Sequence, residues 1–189
     1  MKTLTTFLIS LIITLTFTGC TITHEYGPYS GKVIDTETRE PIEGAAVLVV
    51  FYTETWGLTV SQSKYVDAIE TVTDINGEFK ILTKRIMTFR PFHWWNPHCY
   101  VTIYKPGYGS YPEHADVKPM FVPNGTMPAN QDVTFHLPEL KSREERVGSP
   151  SINYDIEYEK QERFIELINQ EREKLGLEGT IPKESFRRR

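Results

Sequence analysis

The chain opens on a mainly apolar run from Leu4 to Phe17 that no charge interrupts, then passes into short stretches of strand character separated by turn residues, and ends in a charged segment with a helical period. The opening run is shorter than the roughly 20 residues a helix needs to cross a bilayer. From Ser30 onward the pattern predicts strands. Lys32 to Asp35 is the first, closed by a loop over 38–44 in which Pro41 fixes φ and Gly44 is free to turn. Ala45 to Thr53 is nearly continuous in apolar, β-branched and aromatic residues, which predicts a central strand covered on both faces. Tyr65 to Thr73 follows, then Asp74-Ile75-Asn76-Gly77, whose turn chemistry predicts a hairpin. Glu78 to Ile81 alternates as a half-exposed strand does. Residues 83–98 break the pattern with a Pro- and aromatic-rich stretch. Strands resume at Cys99 to Tyr104 and, after a loop over 109–130, at Asp132 to Leu137.

The tail has a different period. No Pro or Gly interrupts Asn153 to Leu175, and Tyr158, Ile165, Ile168 and Leu175 fall near one face of a helix. Ser149-Pro150 supplies a start signal and Gly176 a C-terminal cap. Packing of that stripe on the chain's own sandwich is favoured over packing on a partner.

The apolar run ends in Thr18-Gly19-Cys20, with Lys2 in front of it and polar residues behind. A charged start, an apolar stretch of about 7–15 residues and small residues before a cleavage point describe a secretory signal. Small residues directly before a cysteine resemble the lipobox of bacterial lipoproteins. That resemblance implies a signal peptide over 1–19, lipidation of Cys20 as the mature N-terminus and a tether over 20–29. Thr21 stands where an aspartate would mark inner-membrane retention, so the expected location is the outer membrane on its periplasmic side.

Composition narrows the partners. The whole chain carries 21 Lys and Arg against 25 Asp and Glu, and losing Lys2 with the signal takes the net charge from −4 to −5. A nucleic-acid partner needs a basic patch or stripe, so it is not expected. With Cys20 acylated, Cys99 has no partner within the chain, and an unpaired thiol in an apolar stretch is expected to be buried.

Four motifs then carry a resemblance. Gly31-Lys-Val-Ile-Asp35, Glu40-Pro-Ile-Glu-Gly-Ala-Ala-Val47, Thr73-Asp-Ile-Asn-Gly-Glu-Phe79 and Lys105-Pro-Gly-Tyr108 occur in the order seen in the carboxypeptidase regulatory-like domain, and residues 30–138 resemble that family. It implies a prealbumin-like (transthyretin-like) seven-stranded antiparallel Greek-key β-sandwich, mainly β, with Val133 to Leu137 as its closing strand and residues 139–189 as a helical extension outside it. The matched residues are structural in the family, whose domains act as non-catalytic modules. The enzyme relatives of transthyretin end in Tyr-Arg-Gly-Ser, whereas this chain ends Phe186-Arg-Arg-Arg189.

Candidate chemistry is sparse. No zinc-protease, nucleophile-elbow or phosphate-loop motif occurs, and no cofactor is implied. Asp74-x-Asn76-Gly77 resembles part of an EF-hand loop, but Val72 and Thr83 occupy the first and twelfth positions, where carboxylates are required. His93, His98, Cys99, Glu113 and His114 are metal-ligand types, yet on a strand His98 and Cys99 point to opposite faces, so no metal site is assigned. Phe89, Phe92, Trp94 and Trp95 remain, with Phe92, Trp94 and Trp95 the candidate ligand-binding residues. These readings converge on a lipid-anchored, non-catalytic envelope protein that binds or scaffolds an envelope protein or glycan. The alternative is a carbohydrate- or peptidoglycan-binding module using the Trp94/Trp95 loop; a metal-dependent envelope enzyme is less favoured.

Overall fold

A computed structural model describes residues 22–55, 62–117, 125–148 and 150–186. The signal segment, Cys20, Trp56 and Ser149 lie outside the described residues. The chain is mainly β. Its centre is β3 (Ala46–Thr55), in which Ala46 through Phe51 are all buried. Successive side chains of a strand point to opposite faces, so six buried positions in a row require two covers.

The first cover is a second sheet. Strand β3 pairs antiparallel with β4 (Gln62–Val72) on one side and β8 (Cys99–Tyr104) on the other, and β9 (Thr126–Met127) extends β8. Facing them is a three-stranded sheet of β10 (Asp132–Leu137), β2 (Tyr29–Asp35) and β5 (Glu78–Ile81). Val47, Val49 and Phe51 of β3, with Cys99, Val101 and Ile103 of β8, pack against Val33, Phe79, Phe135 and Leu137. Gly31 and Gly77 allow the sheets and turns to close. A Cβ on Gly31 would stand 2.5 Å from the Val133 carbonyl oxygen, and Gly77 has φ +73 in the turn after β4. In that turn Asp74 Oδ1 accepts hydrogen bonds from the backbone N–H groups of Asn76 and Glu78.

Two expectations about pairing need correction. The turn at 74–77 joins strands of different sheets, since β4 pairs with β3 while β5 pairs with β2, so it is an arch between sheets and not a hairpin. The sandwich is not wholly antiparallel either, because β10 lies parallel to β2 over six pairs from Asp132↔Ser30 to Leu137↔Asp35. Parallel neighbours need a long connection, and nearly the whole domain lies between these two strands.

The stretch over 83–98 is also more ordered than its composition predicts. It contains β6 (Lys84–Met87) and β7 (His93–Trp95). Strand β6 pairs antiparallel with β1 (Thr23–Tyr26), so the segment expected to be a tether joins the domain from Thr23 onward and buries Tyr26. Strand β7 pairs with the far end of β3, Thr53↔Trp95 to Thr55↔His93, on the same side as β8. Asn96 and Pro97 form a kink between the two, where Asn96 N–H still donates to the Tyr52 carbonyl at 3.0 Å.

The second cover of β3 is the C-terminal region. Helix α1 (Arg143–Val147) begins with a capping box between Ser142 and Glu145. Helix α2 (Glu162–Lys174) starts nine residues later than Asn153, after a single 3₁₀ turn at Tyr158–Lys160. It ends as the sequence indicates: Gly176 has φ +65, and the N–H groups of Gly176 and Leu177 donate to Glu173 and Arg172 carbonyls. Phe164, Ile165, Leu167 and Ile168 pack with Phe186 onto Ala46 and Tyr104, while Ile156 covers Leu48 and Val50. Each such aliphatic or aromatic side chain contributes about 1.5–3 kcal/mol when fully buried.

Carboxylates on β4 and α2 pin this layer. Gln161, before the first turn of α2, makes no side-chain cap, and Glu70 takes that role by accepting from Arg163 N–H at 2.9 Å and Phe164 N–H at 2.6 Å. Asp67 bridges Lys84 at 2.6 Å and Lys160 at 2.7 Å. Glu171 binds Arg146 through two bonds of 2.6 and 2.9 Å and accepts from Gly107 N–H. Burial raises the Glu70 carboxyl, and the α2 amides do not fully offset it. Burial also opposes ionisation of Asp67, but the hydrogen bonds and charges of Lys160 and Lys84 outweigh it and hold that carboxyl below the usual range.

Two outcomes follow. Phe79 is 5% exposed beneath Gly31 while Glu78 on the same strand is exposed. Phe79→Ala should therefore cost about 3–5 kcal/mol and Glu78→Ala almost nothing, as read by denaturant unfolding. For Asp67 the folded pKa lies below the unfolded one. Its contribution is present above an unfolded pKa of about 3.9 and is lost as pH falls through the lower folded value. Asp67→Asn should be less stable than wild type at neutral pH, and the gap should close below about pH 4; a gap unchanged by acid would refute the assignment.

Candidate functional site

The aromatic candidates occupy one end of the sandwich. After Met87 the chain leaves β6, and residues 88–92 carry it to β7. The Thr88 N–H donates to the Ile22 carbonyl at 2.9 Å, which places the first described residue against the root of this loop. Arg90 braces the loop from behind, its guanidinium donating to Thr53 Oγ1 at 3.1 Å and to the Lys64 carbonyl at 3.4 Å. Pro91 follows, and Phe92 has φ +63, a left-handed conformation that costs a non-glycine residue about 1–2 kcal/mol. It sends the Phe92 ring outward.

Strand alternation then separates the tryptophans. Trp94, opposite Glu54, faces out and is 47% exposed. Trp95, opposite Thr53, turns in and packs on the core, its ring stacked on His24 at 5.6 Å and edge-on to Tyr26 at 6.2 Å. Burial pulls the His24 imidazole below its ordinary pKa, so a neutral ring meets the indole. Phe92 is 85% exposed, Met87 74%, Phe89 69% and Ile22 48%. The site is therefore an apolar tip of Phe92 and Trp94, joined by Met87 and Phe89. Trp95 is part of its foundation and offers no second open indole.

The metal-ligand types are dispersed. Cys99 is fully buried, its thiol pushed up to about 11 by burial, with Sγ directed to the Met127 carbonyl at 3.6 Å. His98, in the bend just before β8, is exposed. His93 Nδ1 lies 3.0 Å from the Pro91 carbonyl, His114 Nδ1 accepts from Asp116 N–H, and Glu113 accepts from Ser151 N–H. Among the described residues no group of three or more His, Cys, Asp or Glu is placed to hold a metal ion.

A second concavity was not visible in the sequence. A cleft of about 410 Å³ opens between the outer face of β3 and β8 and the irregular segment 151–156, and Tyr52, Tyr100, Glu113, Asn153 and Asp155 line it. Tyr52 and Tyr100 meet edge to face at 5.4 Å, and Asn153 donates to the Tyr52 hydroxyl at 3.3 Å. Gln161 closes the floor by donating to the Asn153 and Ile156 carbonyls. Its components come from three distant stretches, and only the outward placing of Tyr52 and Tyr100 at the ends of apolar strands hinted at it.

No protein-family model matches the chain, and no curated protein matches it. Among solved structures, two mutant forms of a shaft pilin from Lactobacillus rhamnosus GG are 14% identical with TM-scores of 0.30. They cover 61% and 62% of this chain, which in turn spans just under half of the pilin, 47% and 48%. A 9R-lipoxygenase from Cyanothece is 13% identical with a TM-score of 0.31, covering 86% of this chain and 26% of its own. Likeness at this level carries no argument about what the protein does.

Proposed function

We propose that this protein is a lipid-anchored, non-catalytic β-sandwich of the cell envelope that engages an envelope partner through its aromatic end. The observation that carries the reading is the exposed set of Met87, Phe89, Phe92 and Trp94 on a loop braced by β6, β7 and Arg90, beside the first described residue. Large apolar side chains exposed together at one end of a domain mark an interaction site. A braced loop loses little further entropy on binding. The non-catalytic part of the reading is supported by the dispersal of His93, His98, Cys99 and His114, of which His93, Cys99 and His114 are engaged by their own surroundings.

Residues 30–138 are, in this reading, a carboxypeptidase regulatory-like domain of the prealbumin-like type, with β1, β6 and β7 as additions to it and residues 139–189 as an extension. Support comes from the motif residues in place. Gly31 permits the close approach to β10, the Ile42 carbonyl accepts a hydrogen bond from the Thr73 hydroxyl at 2.6 Å, and Gly77 turns the chain into β5. The anchor is Cys20, with signal peptide 1–19 removed and the domain held on the periplasmic side of the outer membrane. No helix among the described residues is long and apolar enough to cross a membrane. An anchor at Cys20 accounts for attachment without such a helix, provided it carries more than one acyl chain.

The expected outcome is incorporation of a palmitate analogue into wild type but not into Cys20→Ser, with Cys20→Ser recovered in the soluble fraction. Acrylamide quenching supplies the second arm. With Trp56 replaced, Trp94→Phe should remove most of the quenchable emission and Trp95→Phe little of it. An unlabelled wild type overturns the anchor, and equal shielding of both indoles overturns the binding end.

A further inference from the structure

The aromatic end and the chain's N-terminal entry coincide. Thr23 is the Cα partner of Met87, and Ile22 accepts the Thr88 N–H, so the chain enters the domain within the patch itself. Only Thr21 stands between Ile22 and Cys20, two Cα–Cα steps that reach at most about 7 Å. There is no spacer, because β1 is already in the ladder at Thr23. An acyl group on Cys20 therefore brings Met87, Phe89, Phe92 and Trp94 to the bilayer surface whichever way the one intervening residue turns.

The chemistry of the patch suits that surface. Its side chains are two phenyl rings, an indole and a thioether, the amphipathic and apolar groups that settle at a membrane–water interface. A sugar platform would instead want carboxylates and amides beside the rings, and the nearest candidates are already used. Glu54, across from Trp94, accepts from Asn96 Nδ2 at 2.6 Å. Behind the tip stands one cation, Arg90, whose guanidinium donates to Thr53 Oγ1 and the Lys64 backbone carbonyl. A cation near the membrane surface favours an anionic headgroup layer.

We propose that the partner of the aromatic end is the lipid bilayer: Met87, Phe89, Phe92 and Trp94 seat in the interface beside the acylated Cys20 and fix the orientation of the domain. This rests on the anchor reading above. The consequence is directional. Strand β4 runs 11 residues from the patch end to the opposite end, about 36 Å at 3.3 Å per residue. The turn at Asp74–Gly77 then points away from the membrane, with Ile75 at its tip, 71% exposed.

The test places an environment-sensitive thiol dye at either end of the full, lipidated chain. Phe92→Cys and Ile75→Cys both replace exposed side chains, Cys20 is blocked by its acyl group, and Cys99 is buried with a raised pKa, so labelling is confined to the new thiol. Each protein is incorporated into vesicles of phosphatidylethanolamine and phosphatidylglycerol, with palmitate-analogue labelling and vesicle flotation measured on the same samples. The expected result is a blue-shifted, quencher-shielded dye at residue 92 and a dye at 75 that reads as in water. Acylated protein that floats with the vesicles while the dye at 92 still reads as in water overturns the seating and leaves the patch to a protein or glycan. Blue shifts at both positions overturn the fixed orientation. Protein without acyl label that fails to float overturns the anchor reading and the seating with it.

Discussion

Strand β3 sets the terms for the rest of the molecule. Its six consecutive buried residues cannot be satisfied by one sheet packing on one side, because alternate side chains leave the opposite face bare. The three-stranded sheet of β10, β2 and β5 covers Val47, Val49 and Phe51. The outer face, Ala46, Leu48 and Val50, would be an apolar strip in water without the segment around Ile156 and helix α2. The helix is short and amphipathic, and it has few means of standing alone. It is therefore held as much by the sandwich as it covers it: Glu70 on β4 takes the place of an N-cap, Asp67 grips the turn before it through Lys160, and Glu171 carries its last turns to Arg146 and Gly107. These contacts tie the tail to the sandwich.

Local patterns in the sequence were legible where the physics is local. The bounds of β8 and β10 match the predicted stretches, β3 is displaced by a residue or two, and the turn residues Asp74, Asn76 and Gly77 act as their chemistry dictates. Gly176 caps α2 for the same reason. What could not be read depends on partners far along the chain. The parallel pairing of β2 with β10 joins residues about a hundred positions apart. The ribbon of β1 and β6 has only four residues a side, with Tyr26 and Ile86 as its buried members, too little alternation to stand out. The start of α2 was misplaced because its cap is Glu70, more than ninety residues upstream, and no capping residue sits beside Glu162.

The same division applies to the candidate site. Adjacent Trp94 and Trp95 part company through strand alternation, which could be applied only once the structure placed a strand at His93–Trp95. That Trp95 rests on His24 could not be read either, since the contact needs a strand in what reads as a tether. The cleft beside Tyr52 and Tyr100 is a further case: neither its walls nor its floor is contiguous in sequence, and Gln161, which closes it, reads as an ordinary polar residue at a helix start.

The parallel pairing of β2 and β10 has a mechanical meaning. A load applied between the chain's N-terminal side and its C-terminal tail pulls β2 at its beginning and β10 at its end. Since the two strands run in the same direction, those forces act oppositely along a shared axis, and the six pairs from Ser30↔Asp132 to Asp35↔Leu137 resist in shear, all at once. An antiparallel pairing of the same strands would be loaded at one end and would open pair by pair, like a zip. The backbone bonds of a parallel ladder are slanted and evenly spaced, so the load is shared without a weakest first step. A domain held by one end and tugged at the other is thereby clamped along the seam between β2 and β10.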